Sequence, residues 1–585
     1  MMPRISSVLR VHWPAPLAAL IVALLIYAPV IAFPIYAGNA YQGINIPPFG
    51  TDEHGYLTRA KETLEGKSMG EPFLAEGKTE NVASYSSFER GFLFPLTLFA
   101  ASKNINVATL YNTLGFVGIF ALILLIYAFV YRISSDRWLA VATAVFVVGG
   151  YTITETRTLF HSGFNIYGRN PFPWASSLLF FGYALCLYEG LVRERPRALI
   201  GAAVLLGISC YAYFYTWTFE FALAGSLILI FLVLRNLIRA RNVFLVALGG
   251  ALIGAPVWIS LLSVAHSPVS AEMNFYNWVV SSHVPIFSRI GTVTAILFAL
   301  YLRFRRDENM PLFGALILAG WVALNEQVIT GKVLQYGHYY WYFVTPISIV
   351  VGAYLLQKFA PQKFKLVLPV ILVVLALVNT VGGQHKAFFA HTSEKLHEQA
   401  YAPALTALRQ GQPGVVLTAM DDSYPMLVTI YTDRDLYWSA SALIYNTPQP
   451  RIEESLLVYL FLNKESRSDP VRYLTSHLAS GETNPYVTLY KSIEGYRTGF
   501  EYYDYEKRLT GGLDPKIAEV RGQLLDQLKA DYVRDFSSPV DVSNILEKRD
   551  VRYVLWDKTI SPEWDIAFLH PKLLVESQGV ALYSF

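Results

Sequence analysis

The residues with the greatest chemical potential in this sequence are two adjacent acids, Asp52 and Glu53, followed at once by His54 and Tyr56. They stand about fifteen residues beyond a long apolar segment near the start of the chain. A carboxylate held at such a boundary can take a proton from a hydroxyl nucleophile. It can also supply oxygen ligands to a divalent cation. A third reading involves no chemistry: acids favour the N-terminal dipole of a helix, and Thr51 or Asp52 can cap a first turn. A second group lies in residues 155–170, with Glu155, Arg157, His161, Tyr167 and Arg169. Arginine matches phosphate and carboxylate anions geometrically, and near a bilayer it also snorkels to headgroups. A third group holds Lys332, Gln335, His338, Tyr339, Tyr340 and Trp341. Here an imidazole able to bind phosphate or relay a proton stands beside aromatic rings. Such rings suit a sugar face and equally an interfacial aromatic belt. Glu220, among Tyr211, Tyr213, Tyr215 and Trp217, reads as an acid that reaches water at a loop, although acids near a membrane are often functional. Asp421-Asp422 reads as a solvated turn.

The elements that position these groups follow from the apolar pattern. Of the 585 residues, 54% are hydrophobic and 16% charged. Charge is unevenly spread, at about 11% of residues 1–383 and about 24% of residues 384–585, with net charges of +9 and −6. Soluble domains carry about 25%. The first part is therefore membrane-like and the second ordinary globular material. This balance excludes a single soluble domain, a disordered chain and a nucleic-acid binder driven by net charge. About eleven segments have the length and apolarity of spans. They lie at roughly 15–37, 107–131, 138–154, 171–192, 198–216, 218–234, 242–263, 289–304, 311–328, 342–357 and 366–383. The first reads as an uncleaved span rather than a signal peptide. Residues 91–101 are apolar but too short to cross, and read as an interfacial or re-entrant helix. Residues 51–65 read as a helix that places Tyr56, Ala60, Thr63 and Leu64 near one face.

Every second loop is short and basic: Arg132 and Arg137; Arg193, Arg195 and Arg197; Arg235, Arg239 and Arg241; Arg303, Arg305 and Arg306; Lys358, Lys363 and Lys365. The positive-inside rule puts these loops and the N-terminus in the cytoplasm. The long aromatic loops carrying all three chemical groups then face outward, as does the C-terminal region. The expected architecture is a polytopic α-helical membrane protein, with residues 1–383 as the transmembrane part and 38–106 as its first outside loop. Residues 384–585 form an extracytoplasmic α/β domain. In it, 414–420 and 551–557 read as strands and 517–533 as a helix. Cys186 and Cys210 lie in apolar runs without CxxC or Cys/His spacing, so neither a zinc site nor a disulfide framework is expected.

The first outside loop carries a resemblance. Asp52-Glu53, Tyr56, Ala60-Lys61-Glu62, Leu64, Gly66 and Pro72, with Arg90 to Leu96 before the second apolar segment, resemble the GT-C glycosyltransferase superfamily. The closest pattern is that of its protein O-mannosyltransferase and aminoarabinose-transferase branch. The resemblance covers roughly residues 15–170 and the overall layout. It implies an inverting transferase in the cell membrane that moves a sugar from a polyprenyl-phosphate donor to a glycan, lipid or protein acceptor outside. It implies that Asp52, alone or with Glu53, is the general base. Arg169, His161, Arg157 and His338 are then expected at the donor phosphate, and Tyr56, Glu155, Tyr167, Lys332 and Tyr339 around the substrate. No cofactor is certain, though a divalent cation fits the acids. The WWD-type motif of oligosaccharyltransferases is missing, since Trp556-Asp557 lacks its context, and no β-trefoil insert is apparent. Two other readings fit the layout: a lipid or polysaccharide transporter, and a non-catalytic scaffold that binds a partner through its outer domain.

Overall fold

The computed structural model describes residues 11–46, 51–64, 70–78, 106–266, 270–305, 307–421, 423–445, 447–510, 512 and 514–585. The expected segment 91–101, the Arg90–Leu96 stretch and Gly66 lie outside these residues.

Helices occupy the positions of the eleven apolar segments. They are α1 (Pro14–Ala37), α3 (Val107–Ser134), α4 (Arg137–Gly149), α5 (Trp174–Leu191), α6 (Pro196–Ala212), α7 (Phe214–Val233), α8 (Leu237–Ala265), α9 (Arg289–Phe304), α10 (Met310–Leu324), α11 (Thr345–Phe359) and α12 (Val367–Glu398). The first outside loop contributes α2 (Thr51–Leu64). Seven helices among the described residues are long and apolar enough to cross a membrane, while α4 and α6 are shorter. These helices are apolar around their whole circumference, the pattern of helices shielded from water on every side. Local chemistry marks their ends. Asn106 caps α3 by accepting from the Thr109 backbone N–H at 2.7 Å. Ser135 turns the chain with a left-handed backbone, and Asp136 caps α4 by accepting from the N–H groups of Trp138 and Leu139. Two residues thus suffice to reverse the chain between helices that then pack on each other.

Without a hydrophobic drive between helices in lipid, close approach depends on small residues. In α3, a Cβ at Gly115 would strike the Tyr27 hydroxyl of α1 and the Asn170 side chain, and one at Gly118 would strike the Trp174 indole. The Asn170 amide oxygen accepts from the Trp174 indole N–H at 3.0 Å and from the Tyr27 hydroxyl at 3.4 Å. This knot seats the segment 168–174, and with it Arg169, at the mouth of the bundle.

The helix α12 is continuous for 32 residues and runs through positions 383 and 384 into the outer region. Besides a short antiparallel pair, β1 (Val280–Ser281) and β2 (Lys332–Val333), the structure has β3 (Val415–Thr418) in parallel with β4 (Val551–Asp557) in the outer region, and a C-terminal hairpin, β5 (Lys572–Ser577) and β6 (Val580–Ser584), completes a sheet of order β3-β4-β6-β5. The helix Pro515–Asp535 stands where helical periodicity places one. The first outside loop is built into this region: Phe73 O accepts from Leu436 N at 2.8 Å, the Thr58 and Thr429 hydroxyls meet at 2.7 Å, and Gln399 bonds the backbone of Gln42 and Ile44. Asp557 closes the join to α12, taking hydrogen bonds from His397 at 2.5 Å and Tyr401 at 2.7 Å. Both cysteines are free.

Burial alone raises the Asp557 carboxyl, but the bonds from His397, Thr559 and Tyr401 outweigh it and hold the group down at about 2. A carboxyl depressed in the fold contributes stability above its unfolded value of roughly 4, lost as pH falls through its folded value. The outer region is thus expected to loosen between about pH 4 and pH 2, followed by tryptophan fluorescence, with Asp557→Asn removing that part of the acid sensitivity. Gly118→Ala is expected to lower the thermal midpoint in detergent through a clash costing roughly 1–3 kcal/mol. Gly225→Ala in α7, where a Cβ has open space, is expected to raise it through helix propensity; equal shifts in the two variants would contradict the packing argument.

Candidate functional site

In α2, Asp52, Tyr56 and Arg59 follow at positions i, i+4 and i+7, so they share one helical face. All three line a cavity of about 400 Å³ at the mouth of the bundle. Arg169 and Phe172 enter it from the loop before α5, Tyr213, Tyr215 and Trp217 from the α6–α7 junction, and Gln335 and His338 from the loop before α11. The outer region adds Ser441 and Tyr445.

Two carboxylates and one guanidinium organise the polar end. Arg169 Nη2 pairs with Asp52 Oδ2, and Arg169 Nε donates to Glu53 Oε1 at 2.8 Å. The three groups differ in exposure: the Asp52 side chain is 61% exposed, Arg169 15% and Glu53 1%. Asp52 is thus the acid that faces the open space, while Glu53 lies beneath it. Burial pushes the Glu53 carboxyl well above the ordinary range, with Lys395 acting against the shift. A charged Glu53 therefore depends on cations, and the guanidinium at 2.8 Å is in direct contact.

The walls are aromatic. Tyr56 meets Phe172 edge to face at 5.7 Å, and Phe172 stacks on Tyr213 at 4.4 Å. His338 stacks on Tyr215 at 4.5 Å, and its Nδ1 donates to the Gln335 carbonyl at 3.1 Å, which leaves Nε2 as the ring's acceptor. The Arg59 guanidinium lies 5.3 Å from the Tyr56 ring centre. Phe73 lines the cavity and touches Tyr445 edge to face at 5.8 Å, joining the first loop to the outer wall. Glu71 fixes that loop by accepting from the Phe73 N–H at 2.8 Å and from the Leu74 N–H.

The structure thus gathers Asp52, Tyr56, Arg169 and His338 around one space, with Glu53 behind them. The other expected residues stand elsewhere. His161 is exposed, and its Nδ1 accepts from the Gly163 N–H at 3.0 Å. Arg157 is likewise exposed and absent from the cavity wall. Tyr167 is fully buried against Tyr151, and Glu155 is at the end of the short helix Tyr151–Glu155. Lys332 pairs with Glu501 at 3.4 Å, and Tyr339 is buried with Thr218 and Glu326. Arg169 is not a free phosphate ligand, because its guanidinium is committed to the two acids. Glu220 does not reach water at a loop: it is completely buried inside α7. Asp421 does form the expected turn, accepting from the N–H groups of Ser423 and Tyr424. Of the residues not anticipated, Arg59 was within reach through its i+7 spacing from Asp52. Phe172, Ser441 and Tyr445 carry no sequence signal, since only folding brings them to the cavity.

Asp52 and Glu53 offer oxygen ligands of the kind a divalent cation takes, but in the structure both turn to Arg169. No group of three or more His, Cys, Asp and Glu side chains suited to a metal ion occurs among the described residues. No family model matches the chain, and no curated protein matches it. Among solved structures, it is similar to the crystal structure of the Archaeoglobus fulgidus oligosaccharyltransferase in the apo form. The TM-score is 0.47 and the identity 12%, covering 77% of this chain and 68% of that one.

Removing one partner of a buried ion pair strands the other, at about 3–5 kcal/mol. Arg169→Ala is expected to lower the unfolding midpoint strongly at pH 8 and much less at pH 5. The sign follows from Glu53: without the guanidinium its folded value rises further, so its contribution is intact at low pH and lost as pH rises. Adding Glu53→Gln is expected to restore most of the loss at pH 8; an undiminished loss in the double variant would show that Arg169 acts through other contacts.

Proposed function

We propose that the chain is a membrane-embedded glycosyltransferase whose general base is Asp52. The observation that carries the proposal is the placement of Asp52: an exposed carboxylate on the wall of a cavity that also holds Arg169, Arg59 and His338. Its volume of about 400 Å³ lies in the range of small-molecule sites, and aromatic faces suit the apolar face of a sugar. The resemblance of Asp52-Glu53 and its surroundings supplies the reaction class. The donor in this reading is a sugar on a polyprenyl phosphate, held in the outer half of the eleven helical segments taken as spans. The acceptor is a glycan, lipid or protein hydroxyl on the same side.

In that reaction Asp52 takes the proton from the acceptor hydroxyl as its oxygen attacks the anomeric carbon, and the glycosidic oxygen leaves with the phosphate. Arg169 has two roles that can alternate. It fixes the rotamer of Asp52 while the site is empty, and its guanidinium turns toward phosphate charge when donor binds. Arg59 adds a donor on the same wall, and His338 offers its Nε2 as an acceptor. Exchange of one anion for another at Arg169 releases the Asp52 carboxylate to act as base. No step calls for a metal ion, although the two acids leave room for one in the chemistry.

The test is transfer by purified protein in nanodiscs with a polyprenyl-phosphate-linked sugar. Asp52→Asn is expected to lower turnover by about 10²–10⁴-fold while leaving the thermal midpoint within a degree or two of wild type. Full activity in this variant would sink the assignment of the base. Glu220, buried inside α7, favours a second reading as a transporter, because intramembrane acids commonly mark translocation routes. Movement of a sugar-lipid across liposomes that is lost in Glu220→Gln but kept in Asp52→Asn would put that reading first.

A further inference from the structure

The opposite end of the bundle has its own cavity. Helix α3 begins near α2 and ends there, and α11 starts beside His338 and ends there. The cavity measures about 900 Å³ and lies among the end of α3, the start of α4 and the ends of α9 and α11. Four cationic side chains from three stretches of chain line it: Arg137, Arg305, and Lys358 with Lys365. None of the four forms an ion pair with a carboxylate among the described residues. Four other cations at this end are paired: Arg132 with Glu189, Arg195 with Glu189 at 2.8 Å, Arg193 with Glu308 at 3.3 Å and Arg239 with Glu194 at 3.4 Å.

The two acids closest to the cavity are already committed. Asp136 caps α4 through one oxygen and accepts from Gln357 Nε2 at 3.2 Å through the other. Asp307 accepts from the hydroxyls of Tyr301 at 3.1 Å and Tyr354 at 2.7 Å, and from the Asn309 N–H at 2.9 Å. Neutral donors hold both acids in place without removing their charge, and the cavity wall carries four cations against one carboxylate, that of Asp136. Such convergence is repulsive unless an anion enters. Exposed apolar side chains also line it: Val11 and Phe359 are 44% and 41% exposed.

We propose that this cavity binds a phosphate-bearing anion. Cations and exposed apolar side chains along it favour the headgroup of an anionic phospholipid, whose tails would cover the apolar side chains. The proposal stands apart from the transferase reading, because the cavity shares no residue with the Asp52 site.

The experiment is native mass spectrometry of the full chain released from nanodiscs of mixed phosphatidylglycerol and phosphatidylcholine, with inorganic phosphate as a competitor. Wild type is expected to retain phosphatidylglycerol selectively. The double variant Arg305→Gln, Lys358→Gln is expected to retain about tenfold less or lower still, since each basic residue near a membrane surface has a sizeable effect on anionic-lipid binding. The charge-preserving pair Lys358→Arg, Lys365→Arg is expected to behave as wild type, which separates lost binding from a damaged fold. The control Arg235→Gln, Arg241→Gln, which removes two charges from the same end but outside the cavity, is expected to change nothing. Binding of inorganic phosphate without lipid selectivity would keep the anion site and reject the lipid as its source. Equal phosphatidylglycerol retention in the Arg305 and Lys358 variant and wild type, or an equal loss in the control, would overturn the proposal.

Discussion

The arrangement of the outer face depends on one charge balance, the sharing of Arg169 between Asp52 and Glu53. A carboxylate as deeply buried as Glu53 is costly without a cation in contact. The guanidinium meets that need with its Nε, and its second arm reaches Asp52. One side chain therefore ties the helix of the first outside loop to the loop before α5. That loop is in turn seated by Asn170, Trp174 and the glycine faces of α3. The position of the exposed acid thus follows from helix packing several residues away, with no long lever of flexible chain between them.

The outer region acts as a wall as much as a separate body. Its sheet is joined to α12 through Asp557, His397 and Tyr401, and α12 continues unbroken into the apolar bundle. The first outside loop hydrogen-bonds to it at Leu436 and Thr429. These joins bring Ser441 and Tyr445 to the cavity that Asp52 lines. A substrate held there is in contact with residues from both halves of the chain, which gives the outer region a direct part in what the cavity accepts.

The two ends of the bundle handle charge differently. At the outer end, acids and arginine neutralise one another around an aromatic cavity. At the other, capping N–H groups and tyrosine hydroxyls hold the acids in place, and four cations face open space beside one lining carboxylate. The same bundle thus presents an organised acid on one side and an unbalanced basic hollow on the other.

Much of the architecture was legible in the sequence because it rests on local physics. Apolar length sets where helices form, and all eleven segments hold helices. Short apolar runs located β3 and β4 as buried strands and a 3.6 period located the helix Pro515–Asp535, although the C-terminal hairpin β5–β6 went unread. Adjacent acids at the head of a helix marked the site, whereas Arg59 went unread because the helix face was drawn through Tyr56, Ala60, Thr63 and Leu64. What the sequence could not decide was partnership. His161, Arg157, Glu155, Tyr167 and Lys332 had the right chemistry and the right loops, yet the fold turns them to other neighbours. Arg169 had the right place, and its pairing with Asp52 and Glu53 went unread, because only the folded chain buries Glu53 and so requires a cation against it. Glu220 was read at a loop and is inside a helix. Residue type and spacing determine which groups can do chemistry, since these are properties of one chain segment. Burial and contact between distant segments determine which of them do, and these come only with tertiary structure.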